Sequence, residues 1–181
     1  MFESIDIMEK LCEILAKMLG SYSFSPAMKE IIQLIIEGKW TSLRYKEILK
    51  EYHVRSNSVD FKEETLDVAI EYARQCLQND ALSEEEIKGM TMLKRALFIQ
   101  EGDFYTYGKK EQVQGIIAAQ LLKLYEDGVI DCNEAVHKAD LQGLFNLSYE
   151  EFDEIVHDIA QAALERGANI VDLDTCSIKF N

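Results

Sequence analysis

One short stretch of the sequence carries several acidic residues, and their spacing suits either metal binding or helix capping. The stretch LYEDGVIDCNEAV, residues 124–136, brings Asp127, Asp131 and Glu134 close together. Carboxylate oxygens are the ligands that hard cations such as Ca²⁺ and Mg²⁺ prefer. The same stretch also suits a tight turn, in which Gly128 ends one helix and Asp131 caps the next. Both interpretations are open from these residues alone.

A second, similar cluster lies earlier in the chain, and it predicts an internal repeat. Asn79, Ser83 and Glu86, in NDALSEEE, have the same spacing as the three acidic residues in DGVIDCNE. Apolar positions correspond as well: Leu82 with Ile130, Leu93 with Leu141, and Phe104 with Phe152. The pattern indicates two copies of a helix–turn–helix unit, each with an acidic corner. The candidate ligands for a divalent cation are Asp127, Asp131, Glu134, Asn79, Ser83 and Glu86.

A standard helix–loop–helix calcium site is excluded by the first half of each loop. The first and third positions of such a loop supply oxygen ligands. In the later copy these positions hold Lys123 and Tyr125, and in the earlier copy they hold Gln75 and Leu77. Neither copy offers enough oxygens for a calcium-sensor loop, so any cation must bind in another way.

The pattern Asp-Gly-x-Ile-Asp-x-x-Glu, followed by LFNLSYEEFDEI, resembles the tellurite-resistance TerB-like family. The resemblance covers residues 60–166 and is most specific over 124–156, whereas residues 1–55 carry none of it. It implies a small all-helical cytoplasmic domain whose acidic turns bind metal, with a role in stress response. In the first copy, Asp80 and Ala81 stand where a Gly-x pair is expected.

A rival pattern for metal chemistry is Glu-x-x-His, which occurs at Glu134–His137 and at Glu154–His157. Di-iron four-helix bundles use this pattern twice, with all four side chains pointing into the core. At about 100° per residue, Glu154 and His157 fall opposite the apolar stripe of their helix. We therefore expect both side chains to be exposed. A di-iron enzyme accordingly ranks third, after the two functional hypotheses given at the end of this section. No glycine-rich phosphate loop or nucleophile motif points to another enzyme class.

Composition and charge narrow the classes of partner. The chain of 181 residues carries 33 acidic and 19 basic side chains, for a net charge of −14. Such a surface repels phosphate backbones, so nucleic acid is not an expected partner. The four cysteines form no Cys-x-x-Cys pair, which is typical of reduced cytosolic thiols. The N-terminus lacks the basic region of a signal peptide, and no apolar run is long enough for a membrane helix. A cytoplasmic protein without a membrane partner is expected.

Hydrophobic periodicity predicts an all-α bundle of about eight helices. We expect helices near residues 3–20, 26–37, 41–53, 60–78, 83–99, 111–126, 132–145 and 149–166. Ser25 is the predicted N-cap of the second helix, with Pro26 at its first position. The predicted organisation is an N-terminal helical extension (1–55), a TerB-like bundle (60–166) and an extended tail (167–181).

Two functions follow as hypotheses. The first is a non-enzymatic TerB-like protein that handles metal or stress through its acidic turns. The alternative is a protein-interaction module that uses either the acidic surface or the aromatic loop 100–110. In that loop Phe104, Tyr105 and Tyr107 suit a recognition surface, or they cover the end of the bundle.

Overall fold

The protein is helical throughout the part of the chain that its structure describes. A computed structural model describes residues 2–79, 82–124 and 132–165. Within these ranges there are nine α-helices, one short 3₁₀ turn at Leu77–Asn79 and no strand. The helices are α1 (Phe2–Ser21), α2 (Pro26–Ile36), α3 (Ser42–Glu51), α4 (Val59–Cys76), α5 (Glu84–Ala96), α6 (Asp103–Thr106), α7 (Lys110–Leu124), α8 (Cys132–Leu144) and α9 (Tyr149–Glu165). The predicted all-α fold class is confirmed.

The eight predicted helices are all present, and α6 is an additional single turn inside the loop 100–110. Ser25 caps α2 as predicted, because its side chain accepts a hydrogen bond from the Met28 amide, and Pro26 occupies the first turn. After α2 the chain turns at Gly38, whose φ of 64° lies in the left-handed region that glycine adopts without strain. The predicted tail, residues 167–181, lies outside the described residues.

The chain forms two compact units, residues 1–109 and 110–181. In the first unit α1 contacts α2, α4 and α5, and α2 also contacts α3. Its fully buried core includes Leu11, Leu15, Met18, Ile31, Ile32, Leu66 and Ile70. These units reflect packing alone. The division into residues 1–55, 60–166 and 167–181, which concerns sequence resemblance, stays a prediction.

The second unit is built around α7, which contacts α8 and α9. Its buried side chains include Val113, Ile117, Leu121, Leu141, Phe145, Phe152 and Ile155. Ser148 and Glu151 form a capping box at the start of α9. The Ser148 amide donates to the Glu151 carboxylate at 2.8 Å, and the Glu151 amide donates to the Ser148 hydroxyl at 3.2 Å.

Two ion pairs connect α4 to the segment that links α5 with α7. Lys62 Nζ lies 3.0 Å from Asp103 Oδ2, and Lys109 Nζ lies 2.6 Å from Asp67 Oδ1. Phe104, between them in the sequence, is buried. The aromatic loop is thus held against α4 within the first unit, which favours the interpretation that its rings cover the end of the bundle.

No helix in the described ranges combines the length and the apolar character needed to cross a bilayer.

Candidate functional site

The first acidic corner, at the start of α5, is a complete capping box. The Ser83 hydroxyl accepts from the Glu86 amide at 3.2 Å, and the Ser83 amide donates to Glu86 Oε2 at 3.0 Å. Each bond satisfies a backbone N–H that has no partner inside the helix. Glu84, Glu85 and Glu86 all fall in the first turn, where negative charge is stabilised by the helix dipole. The predicted helix-capping role of this corner is confirmed.

Glu86 is also buried, and its second oxygen faces a lysine of another helix. Only 5% of its side chain is exposed, and Oε1 lies 3.7 Å from Lys10 Nζ on α1. The Tyr72 hydroxyl donates to the Glu86 backbone carbonyl at 3.4 Å, which ties α4 to the same point. One carboxylate oxygen therefore serves the backbone, and the other serves Lys10. A cation would have to displace these partners before it could use Glu86.

The remaining predicted ligands are placed only in part. Asn79 ends the 3₁₀ turn at Leu77–Asn79, and Glu134 belongs to α8. The side chains of these two residues lie outside what the structure describes. So do the whole residues Asp127, Gly128, Ile130 and Asp131. Among the described side chains, no group of three or more His, Cys, Asp or Glu is arranged to hold a metal ion. The metal assignment of these residues stays a prediction.

Next to the capping box, α1 and α5 enclose an open groove of about 430 Å³, here called the acidic groove. It is lined by Asp6, Glu9, Lys10, Glu13, Ser83 and Glu85. Lys17 lies 2.7 Å from Glu13, and this hydrogen bond and ion pair lower the pKa of the Glu13 carboxyl. Hydrogen bonds from its own amide and from Ser83 lower the pKa of Glu85. Both carboxylates are therefore firmly ionised at neutral pH.

The charges in the acidic groove are unevenly matched. Lys10 is engaged by Glu86, and Lys17 by Glu13. Asp6, Glu9 and Glu85 form no ion pair with any described residue. The groove thus presents unpaired negative charge from two helices on one concave surface. The spacing of Asp6, Glu9 and Glu13 places them on one helical face. The groove itself leaves no local signal in the sequence, because α1 and α5 are far apart along the chain.

A second groove, of about 390 Å³, has mostly apolar walls and is here called the apolar groove. It is lined by Met8, Leu11, Ile35, Gly38, Trp40, Met92, Arg95 and Ala96, from α1, α5 and the end of α2 with its following turn. The indole Nε1 of Trp40 is buried and has no hydrogen-bond partner among the described residues. A buried donor left unpaired costs about 1–3 kcal/mol. The exposed Arg95 forms no ion pair with a described residue.

The exposure of Glu154 and His157 is confirmed, because both side chains lie on the solvent face of α9. Glu154 is 3.7 Å from Lys110 Nζ, an ion pair at the surface. Neither residue points into a bundle core, as a di-iron site requires. This half of the Glu-x-x-His pattern therefore belongs to a solvated helix face.

Comparison with known proteins adds no family to this picture. No family profile, curated protein or solved structure matches the chain significantly. The class that the structure itself defines is a multihelical protein with an acidic groove and an apolar groove in its first unit.

Proposed function

We propose that the protein is a non-enzymatic binding module whose acidic groove docks a basic segment of a partner protein. The observation that carries this proposal is the convergence of Asp6, Glu9 and Glu85 on one concave surface. None of the three forms an ion pair with a lysine or arginine in the described part of the chain. Exposed charges of this kind add little to the stability of the fold itself. They are well suited to attracting and orienting an oppositely charged partner.

The nearby helix packing supports a rigid docking surface. The capping box fixes the first turn of α5, and the ion pair between Lys10 and Glu86 connects it to α1. A preformed surface loses less conformational freedom on binding than a flexible one. Lysine and arginine side chains of a partner would meet carboxylates already held in place.

The test measures binding of a short lysine- and arginine-rich peptide to the intact protein by calorimetry and stopped flow. The variant D6N/E9Q/E85Q removes the unpaired carboxylates of the groove. The matched control E111Q/E150Q/D153N makes the same change in net charge at exposed positions of the second unit. We expect the groove variant to weaken binding about tenfold or more, mainly through slower association, with a smaller effect in the control. Equal weakening in both variants would mean that only net charge matters, and the proposal would fail.

Divalent-cation binding by Asp127, Asp131 and Glu134 is the second candidate function. It is favoured by the acidic spacing in the sequence and by the resemblance to TerB-like proteins, which also suggests a cytoplasmic role in stress response. The variant D127N/E134Q tests it separately from the groove. Divalent ions at millimolar concentration should raise the thermal midpoint of the wild-type protein and leave that of the variant unchanged. No ion-dependent shift in the wild type would exclude this candidate.

A further inference from the structure

The apolar groove has the size and lining of a small-molecule site. Its volume of about 390 Å³ falls within the range of about 300–1,000 Å³ that is usual for ligand pockets. Met8 from α1, Ile35 from α2, and Met92 and Ala96 from α5 form its apolar walls. Methionine side chains adapt readily to the shape of a bound chain. These walls suit an aliphatic ligand.

The polar groups of this groove are donors. Arg95 carries a guanidinium that can only donate hydrogen bonds, and the indole of Trp40 has a single N–H donor. Trp40 Nε1 has no acceptor, and Arg95 has no carboxylate, among the described residues. Glu37, close to the groove in sequence, is already paired with Lys39 at 2.8 Å. The chemistry that complements this arrangement is an apolar chain with one anionic acceptor.

We propose that the apolar groove binds a straight-chain carboxylate of the fatty-acid class. The hydrocarbon chain lies against Met8, Ile35 and Met92, and the carboxylate pairs with the Arg95 guanidinium. The Trp40 ring, which lines the groove, lies against the bound chain. The volume favours a single aliphatic chain over the helix of a partner protein, which needs an extended groove for its successive anchors.

This ligand class makes two separable contributions to affinity. Each methylene buried in the groove strengthens binding by up to about fourfold. An ion pair between the carboxylate and the exposed Arg95 adds about two- to fivefold relative to an uncharged head group. Chain length and head-group charge can therefore be tested independently.

The experiment uses the intact protein and reads the fluorescence of Trp40, which is the only tryptophan in the chain. Octanoate, decanoate and dodecanoate are titrated below their micelle concentrations, with decanol as the uncharged analogue and calorimetry as a second readout. Far-UV circular dichroism checks that the ligands do not unfold the helices. We expect a saturable change in Trp40 emission, affinity that rises with chain length, and about two- to fivefold tighter binding of decanoate than of decanol.

Two variants assign the interaction. R95Q should lose the preference for decanoate over decanol, whereas R55Q, which changes an exposed arginine outside the groove, should keep it. Ala96→Phe, which fills the groove, should abolish binding of both ligands while helicity is retained.

Three results would overturn the proposal. They are equal affinity of the wild type for acid and alcohol, a preference that survives in R95Q, and the absence of any saturable signal. Binding of an apolar peptide with a free C-terminus, without binding of decanoate, would assign the groove to a protein partner instead.

Discussion

Replacing Glu64 by alanine should destabilise a helix to which Glu64 does not belong. Glu64 lies on α4, yet its carboxylate accepts from the Ser25 amide at 2.5 Å and from the Ser25 hydroxyl at 2.7 Å. The same hydroxyl accepts from the Met28 amide at 3.2 Å and so caps α2. In an ordinary capping box the carboxylate comes from the third helical residue. Here that residue is Met28, and Glu64 takes the role from a different helix.

The magnitude follows from the bonds that are lost. Hydrogen bonds to a charged acceptor contribute about 1.5–3 kcal/mol, and loss of an N-cap side chain costs about 1 kcal/mol. Because Glu64 is half-buried, we expect about 2 kcal/mol for Glu64→Ala and about half of that for Glu64→Gln. For a chain of this length, each 1 kcal/mol lowers the midpoint of thermal unfolding by about 2–4 °C.

The assay is urea denaturation followed by far-UV circular dichroism, applied to S25A, E64A and S25A/E64A. If the two side chains act as one cap, the double variant loses about 1 kcal/mol less than the sum of the single variants. Glu63→Ala is the matched control, since Glu63 neighbours Glu64 on α4 and makes no comparable hydrogen bond to a residue that the structure describes. Additive losses within about 0.5 kcal/mol, or equal effects of E63A and E64A, would refute the reasoning.

Three buried positions give further predictions. Gly89→Ala should destabilise the protein in urea, because the added methyl group overlaps the Tyr72 hydroxyl. Adding Tyr72→Phe should recover part of the lost stability, and a neutral or stabilising G89A would contradict this packing. Burial raises the pKa of the Cys76 thiol to about 12. Alkylation followed by mass spectrometry should therefore label the half-buried Cys12 well before Cys76, and equal rates of labelling would show that Cys76 is accessible. Desolvation lowers the pKa of Lys94 to about 8, below its ordinary value. Above about pH 8 the unfolded chain therefore binds more protons than the folded protein, and the free energy of unfolding increases as the pH rises. The difference in stability between Lys94→Met and wild type should therefore move in favour of wild type by about 1 kcal/mol from about pH 7 to about pH 9, and a constant difference would contradict the shift.

Local signals in the sequence were sufficient for most of the fold. The apolar stripes of α1, α4 and α9 recur at helical spacing, and such a stripe has to face a core whatever its partner is. Ser25 and Ser83 were readable as N-caps because a cap bonds to amides within its own first turn. The helix α6 was missed because a single turn at Asp103–Thr106 is too short to show any periodicity.

The two grooves depend on tertiary packing and could not be found in the same way. Asp6 and Glu9 share a face of α1, but that face could equally have been an isolated solvated surface. Only the approach of α5 brings Glu85 beside them. Trp40 lies between α2 and α3, in a segment without helical period, and its partners Met8 and Met92 come from distant parts of the chain. Neither combination leaves a signal in a local window of sequence.

The acidic corners show why one sequence pattern served two hypotheses. A carboxylate that can bind a cation can equally accept a hydrogen bond from a helix amide. At the corner of Ser83 and Glu86, the side-chain oxygens accept hydrogen bonds from backbone amides, and the second Glu86 oxygen pairs with Lys10. Asp131 and Glu134 have the same capping spacing, so either can be explained without metal. Asp127 is the member of that cluster outside the capping pattern. A metal role at this corner therefore depends most directly on Asp127, because a neutral side chain there removes a candidate ligand without removing a cap.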